Sequence, residues 1–218
     1  MLDIEFDKSR KSSPADMICG CDEAGRGPLA GPVVAAACIL PEGYVPEGLD
    51  DSKKLTEKKR ERLYADITEN AIAWCAAEAS PAEIDEINIL EASLLAMRRA
   101  IAGLGTNVDY VLVDGNVYRG FDKPGEAVVG GDGISPSIAA ASIIAKVTRD
   151  RMCTEMHETY PEYNFAKHKG YPTKDHKLAV YEHGPCPIHR RSFLSFLERD
   201  HDKLEAMLTE KREAESES

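Results

Sequence analysis

Ile18-Cys19-Gly20-Cys21-Asp22-Glu23-Ala24-Gly25-Arg26-Gly27-Pro28-Leu29-Ala30-Gly31-Pro32-Val33 is the stretch that decides how the rest of the chain is read. It opens as a short apolar strand, presents two adjacent carboxylates, and enters a loop too rich in glycine and proline to stay extended. Side chains alternate faces along a strand, so Asp22 and Glu23 point apart in regular β geometry. They share a site only where the strand ends or bulges, and the following glycines supply such a break. Two carboxylates held together raise each other's proton affinity, and a hard divalent cation such as Mg²⁺ or Mn²⁺ relieves that cost. For a bare Asp-Glu pair, a solvated surface turn is the commoner explanation. A dinucleotide loop at Gly25-Arg26-Gly27 is a poor reading. The third glycine is missing, and the acids in front would repel a pyrophosphate.

Working outward, Val33 to Leu40 is a continuous run of small apolar residues, as expected of a strand buried on both faces. Asp51-Ser52-Lys53-Lys54 leads to a helix capped at Thr56. Ala71 to Ala79 reads as a third strand. Ser80-Pro81-Ala82-Glu83 has capping-box spacing with proline in the first turn, and Ile84, Ile87, Leu94, Met97 and Ile101 follow at helical intervals up to Gly103 or Gly105. Tyr110 to Val113 is a fourth strand. It ends in Asp114-Gly115-Asn116, which is either a site residue at a strand's carboxyl end or an ordinary turn. Residues 126–130 suggest a fifth strand. Ser135-Pro136 starts a helix whose Ala139, Ala140, Ala141 and Ala145 permit close packing. Ser142, Lys146 and Asp150 lie on one face of it. Asp150 could join Asp22, Glu23 and Asp114, or could form a surface pair with Lys146.

The chain has 218 residues and a net charge of −11. That total speaks against a nucleic-acid partner, but binding follows the local patch. Residues 198–218 hold eight acids and four bases, whereas residues 167–191 hold six Lys/Arg, two acids and four histidines. No run approaches the roughly 20 apolar residues of a membrane helix, and Met1 to Asp16 lacks an apolar signal core. We therefore expect a cytoplasmic protein with no membrane partner. The six cysteines show no paired spacing, and free thiols fit better than disulfides or zinc ligation. We divide the chain into an N-terminal extension (1–16), a central domain with a helical C-terminal part (17–197), and an acidic tail, helical or partly disordered (198–218).

Five separated segments, in order, resemble the ribonuclease HII family. They are Asp22 to Val33, Asp51 to Lys54, Val113-Asp114-Gly115, Ile138 to Asp150, and His168-Lys169-Gly170-Tyr171 with His189-Arg190-Arg191-Ser192-Phe193. The match covers roughly residues 17–197 and is closer to the bacterial type II enzymes than to type III, which carry a separate N-terminal substrate-binding domain. The resemblance implies an α/β protein, a ribonuclease H-like α/β/α fold around a mixed five-stranded sheet with C-terminal helices. It implies an endonuclease acting on RNA in RNA–DNA hybrids and on ribonucleotides embedded in DNA duplexes. Carried over by motif, Asp22, Glu23, Asp114 and Asp150 become the metal-binding carboxylates for two Mn²⁺ or Mg²⁺ ions.

Two ions about 3.5–4 Å apart clamp one phosphate, and the products would be a 3′-OH and a 5′-phosphate. The 2′-OH distinguishes RNA from DNA, and the resemblance assigns its reading to Gly25, Arg26, Gly27 and Tyr171, with Ser142 also on the substrate side. Lys53, Lys54, Lys146, Arg190 and Arg191 are candidate phosphate contacts; a solvated or capping role is the alternative, evenly weighted for the two arginines. A catalytic histidine is not required by any spacing of the six histidines. We expect a monomer. Another metal-dependent nuclease of the same fold and a catalytically silent hybrid-binding module are the competing readings; a missing carboxylate would favour the second.

Overall fold

In the computed structural model, which describes residues 2–216, five strands form one mixed sheet. They are β1 (Ile18–Ala24), β2 (Val33–Ile39), β3 (Ala73–Ala79), β4 (Tyr110–Asp114) and β5 (Gly125–Val128). Their order is β3-β2-β1-β4-β5. β1 pairs antiparallel with β2 and parallel with β4, while β4 pairs parallel with β5. The carboxyl ends of β1, β4 and β5 therefore share one rim, the place where an open α/β sheet presents its functional groups. Strand boundaries differ from the sequence reading by one or two residues. β3 begins at Ala73, because Ala71 serves as the C-cap of the preceding helix.

The helices are α1 (Ile4–Lys8), α2 (Glu57–Asn70), α3 (Pro81–Ala102), α4 (Pro136–Thr159), α5 (Phe165–His168), α6 (Lys174–His183), α7 (Phe196–Arg199) and α8 (His201–Ser216). α3 covers one face of the sheet, burying Cys19, Cys21, Val33 and Ala35 against Ile84, Leu94 and Met97. α2 and α4 cover the other face, where Ala36 and Cys38 meet Leu63, Ile67, Ala140 and Ile144. The alanines of α4 allow close approach. A Cβ on Gly20 would lie 2.1 Å from the backbone carbon of Ser137, so only glycine fits where α4 starts across β1. α3 is not the single helix its periodicity suggests. It breaks at Asn88, where φ is +68° and the side-chain oxygen accepts from the amides of Leu90 (3.0 Å) and Glu91 (3.2 Å), capping a second segment. Asparagine tolerates that backbone region and caps well.

The N-terminal extension packs on the domain. Asp7 accepts from the Ser137 amide and hydroxyl at the start of α4, and Arg10 pairs with Glu126 of β5 at 2.7 Å. The acidic tail does not separate cleanly at residue 197 either. Leu204 and Leu208 are buried, and Leu204 shares a third core with Phe165, Val180 and Phe196. All six cysteines are free. No helix among the described residues is long and apolar enough to cross a membrane.

Candidate active site

β1 stays regular through both acids. Asp22 pairs with Ala36 and Glu23 with Ala35, with no bulge of the kind the sequence invited. The two side chains consequently do point apart. Asp22 faces α4 with Leu112 and Asp114, whereas Glu23 lies on the α3 face beside Leu94 and Met97. They come near one another because β1 outruns β4, whose pairing with it stops at Cys21↔Val113.

The fourth acid at this rim is Asp132, in the turn that joins β5 to α4. One oxygen from each of Asp22, Asp114 and Asp132 lies within 4.8 Å of the others. Asp114 is held by the Gly131 amide, which donates to Oδ1 at 2.7 Å, and Asp22 accepts from the Glu23 amide at 2.7 Å. Burial first, then the charges of Glu23 and Asp114, push the Asp22 carboxyl well above the usual range. Burial also raises Glu23, against the opposing charge of Arg26, and raises Asp132, with Asp114 adding to it. Three hard oxygen donors converging under mutual repulsion fit a divalent cation such as Mg²⁺ or Mn²⁺.

Asp150 is not among these acids. Its carboxylate binds Lys146 at 2.5 Å and Arg60 at 3.7 Å. Ser142, eight residues earlier on α4, already hydrogen-bonds Asp22. At 1.5 Å per residue, Asp150 sits about 12 Å further along the helix, outside the reach of an aspartate. The sequence did carry a signal for Asp132. β4 and β5 are parallel, and Gly130-Gly131-Asp132 follows β5 just as Asp114-Gly115 closes β4.

A cleft of about 230 Å³ opens at Asp22 and Glu23, lined besides by the Gly25–Gly27 loop, Lys53, Lys146 and Tyr171. Gly25 has φ +96°, and a Cβ there would lie 2.0 Å from Arg149 Nε; the turn and the close approach both demand glycine. The Tyr171 ring lies over Gly27 and is 44% exposed. Ser142 is buried, and its hydroxyl lies 3.0 Å from that of Ser52. Lys53 faces Asp132 at 3.6 Å, and Arg26 faces Glu23 at 3.4 Å. Burial works against the Lys53 charge, but the carboxylates of Asp132, Asp22, Asp51 and Asp114 outweigh it and raise its pKa.

The remaining basic candidates divide. Lys54 pairs with Asp50 at 3.0 Å, outside the cleft, and Arg191 is exposed. Arg190 is fully buried and cannot meet a phosphate. Its guanidinium donates to the carbonyls of Gly25 (2.6 Å), Arg26 (3.0 Å) and Gly31 (2.9 Å). Arg149 does the same for Ala30, Pro32 and Lys169. These two arginines hold the glycine-rich loop in shape from beneath.

The sheet order and the acidic rim define a class: enzymes of the ribonuclease H-like α/β type, with their acids at the carboxyl ends of the central strands. The chain belongs to the ribonuclease HII family, whose model matches residues 19–196. Ribonuclease HII of Burkholderia thailandensis is 55% identical over 190 residues, covering 87% of this chain and 86% of that protein. The Idiomarina loihiensis protein of the same name is 56% identical over 177 residues, covering 81% and 95%. Among solved structures, ribonuclease H2 of Pyrococcus horikoshii superposes with a TM-score of 0.69 at 27% identity, covering 87% of this chain and 99% of that one. Ribonuclease HII of Archaeoglobus fulgidus, solved in complex with PCNA, gives 0.67 at 25%, covering 80% and 94%. The chain is accordingly a ribonuclease H, an endonuclease of a family that acts on RNA–DNA hybrids.

Proposed function

We propose that this enzyme cleaves the RNA strand of hybrids and single ribonucleotides embedded in duplex DNA, leaving 3′-OH and 5′-phosphate ends in a two-cation reaction. The observation that carries the reading is the convergence of Asp114 and Asp132 on Asp22, which with Glu23 lines a cleft walled by the glycine loop and Tyr171. Those three acids, with Glu23, would hold Mn²⁺ or Mg²⁺, and bound cations would neutralise the scissile phosphate and acidify a water. Gly25, Arg26 and Gly27 offer backbone close to a ribose, where the 2′-OH is read. Tyr171 stacks on a sugar or base. Lys53 and Lys146 stand where phosphates pass, with Lys54 and Arg191 further out. Ser142 orients Asp22, and Asp150 orients Lys146. One chain supplies every one of these groups, as a monomer requires.

The test is a duplex bearing one ribonucleotide, incubated with Mn²⁺, Mg²⁺ or Ca²⁺ beside an all-DNA control. Cleavage at the ribonucleotide with Mn²⁺ or Mg²⁺ and none of the control is expected. Ca²⁺ should support binding with little turnover, since it takes more ligands at longer distances. Asp132→Asn should lose more than about 100-fold in rate, beyond the 10–100-fold typical of groups behind a metal ligand, whereas Asp150→Asn should lose far less. The reverse ranking would return the fourth acid to Asp150.

A further inference from the structure

Behind Tyr171 lies a group of imidazoles with no part in the acidic site. His168, His176 and His189 are all buried, packed around Phe165, with His168 and His176 stacked at 4.3 Å. Their hydrogen bonds permit only one arrangement of protons. His176 Nδ1 lies 2.9 Å from the Tyr171 carbonyl, which can only accept, so Nδ1 carries the hydrogen. In a neutral ring Nε2 is then an acceptor. It faces His189 Nε2 at 3.1 Å, which must donate. His189 Nδ1 in turn accepts from the Cys186 amide at 3.1 Å, with the Cys186 sulfur 3.0 Å away. His168 is fixed the same way. Its Nε2 donates to the Tyr163 carbonyl at 2.6 Å, and its Nδ1 accepts from the Gly170 amide at 3.2 Å.

We infer that His176, oriented by His189, is a positioning residue for Tyr171: a one-way chain of hydrogen bonds from Cys186 through two neutral imidazoles ends on the Tyr171 carbonyl and sets the ring over the glycine loop. The inference rests on the reading of Tyr171 given above. Three further observations support it. The main-chain carbonyl of His168 accepts from the Tyr171 amide at 2.9 Å, and the Tyr171 carbonyl accepts from the Thr173 amide at 2.8 Å as well as from His176, so the peptide units on both sides of Tyr171 are fixed. Lys169 is held at φ +54° with its carbonyl on Arg149, a backbone conformation that persists only where its surroundings enforce it. Burial brings His176 and His189 down to about 4, so both rings are neutral at pH 7. Three buried histidines are a costly way to anchor a loop that needs only a fold. They make sense where one aromatic ring must sit in one place.

Two measurements test this. In the wild-type protein at pH 7, ¹⁵N–¹H correlation of the imidazoles should show His176 as the Nδ1–H tautomer and His189 as the Nε2–H tautomer. A His176 Nε2–H tautomer or a protonated ring overturns the chain. The second measurement is kcat/KM on the single-ribonucleotide duplex for His176→Ala, His176→Asn, Tyr171→Ala and the double variant His176→Ala/Tyr171→Ala. Tyr171→Ala should lose about tenfold, within the range for one stacking contact. His176→Ala should lose a similar factor, and the double variant should match Tyr171→Ala within about twofold, because groups acting through one another are not additive.

His176→Asn keeps a donor near the Nδ1 position and should retain most activity; it also serves if the alanine variant fails to fold. Binding to all-DNA duplex should stay constant throughout. If Tyr171→Ala loses nothing, the reading of Tyr171 fails and the inference with it. If Tyr171→Ala loses activity while His176→Ala and His176→Asn are silent, or the two losses multiply, the positioning role alone is overturned.

Discussion

Asp22 concentrates the tension of this molecule in one carboxyl group. Buried beside Asp114 and Asp132, it is pushed well above the ordinary carboxylate range. The folded form therefore keeps a proton that the unfolded chain has lost. Stability from such a group is complete below the unfolded carboxylate range, at about pH 4, and is lost as pH rises through the raised folded value. The contribution of Asp22 to the stability of the metal-free protein should fall as pH is taken upward from about 4, and Asp22→Asn, which keeps the shape without the charge, should remove that fall. We expect the metal-free Asp22→Asn protein to melt above wild type at pH 8, with the gap closing toward pH 4. Each kcal/mol recovered is worth about 2–4 °C in a chain of this size. The same variant should lose most cleavage under saturating Mn²⁺ and most of the Mn²⁺-induced rise in melting temperature. A wild-type protein that melts as high as the variant at pH 8 would contradict this account.

At the scale of elements, the rim of the sheet needs a loop that its own residues cannot hold. Gly25 to Gly31 forms no strand or helix, so its carbonyls must find donors elsewhere. Arg190 supplies three hydrogen bonds from 159 to 165 positions away in sequence. Burial, with Arg149 beside it, draws its pKa down to about 9, so it stays charged at pH 7. Arg190→Lys has one nitrogen where three bonds are needed, and a planar fork is not replaced by an ammonium. Losing two hydrogen bonds from a buried charge should cost about 3 kcal/mol or more, seen as a lower urea midpoint with an unchanged slope. Cleavage should fall as well, because the same loop walls the cleft. A variant of wild-type stability would mean that the loop holds itself.

For the molecule as a whole, the C-terminal helix is the part whose weight is easiest to misjudge. It is acidic and polar, yet Leu204 and Leu208 are buried and Lys211 reaches Glu182 at 2.9 Å. Removing residues 209–218 spares both leucines, and the ion pairs of Lys211 and Arg212 with Glu182 that it removes are worth at most about 1 kcal/mol each. Activity and melting temperature should change little. Removing residues 201–218 also exposes the core around Phe196 and Val180, and two leucines at about 1.5–3 kcal/mol each should be felt as a clear drop in melting temperature. Equal melting temperatures for the two truncations would show that α8 does not support the fold.

What the sequence by itself determined was whatever depends on neighbours a few residues apart. The apolar run of β2, the capping box at Ser80 and Glu83, the Thr56 cap and the proline-led start of α4 are local patterns, and each appears where it reads. Asp22, near the carboxyl end of β1, and Asp114, the last residue of β4, are likewise visible as candidate acids. Tertiary structure decided which acid joins them. Asp132 and Asp150 both sit near α4 in sequence, but one lies in the turn at the rim and the other about 12 Å along a rigid helix, paired with Lys146 and Arg60. It also turned Arg190 from a candidate phosphate contact into the buried support of a loop. Three histidines scattered over 22 positions, with no common motif, became one hydrogen-bonded group. Periodicity and caps are written into successive residues because backbone geometry repeats. The partner of a buried charge or imidazole is chosen by how helices and strands pack, over separations no local pattern spans.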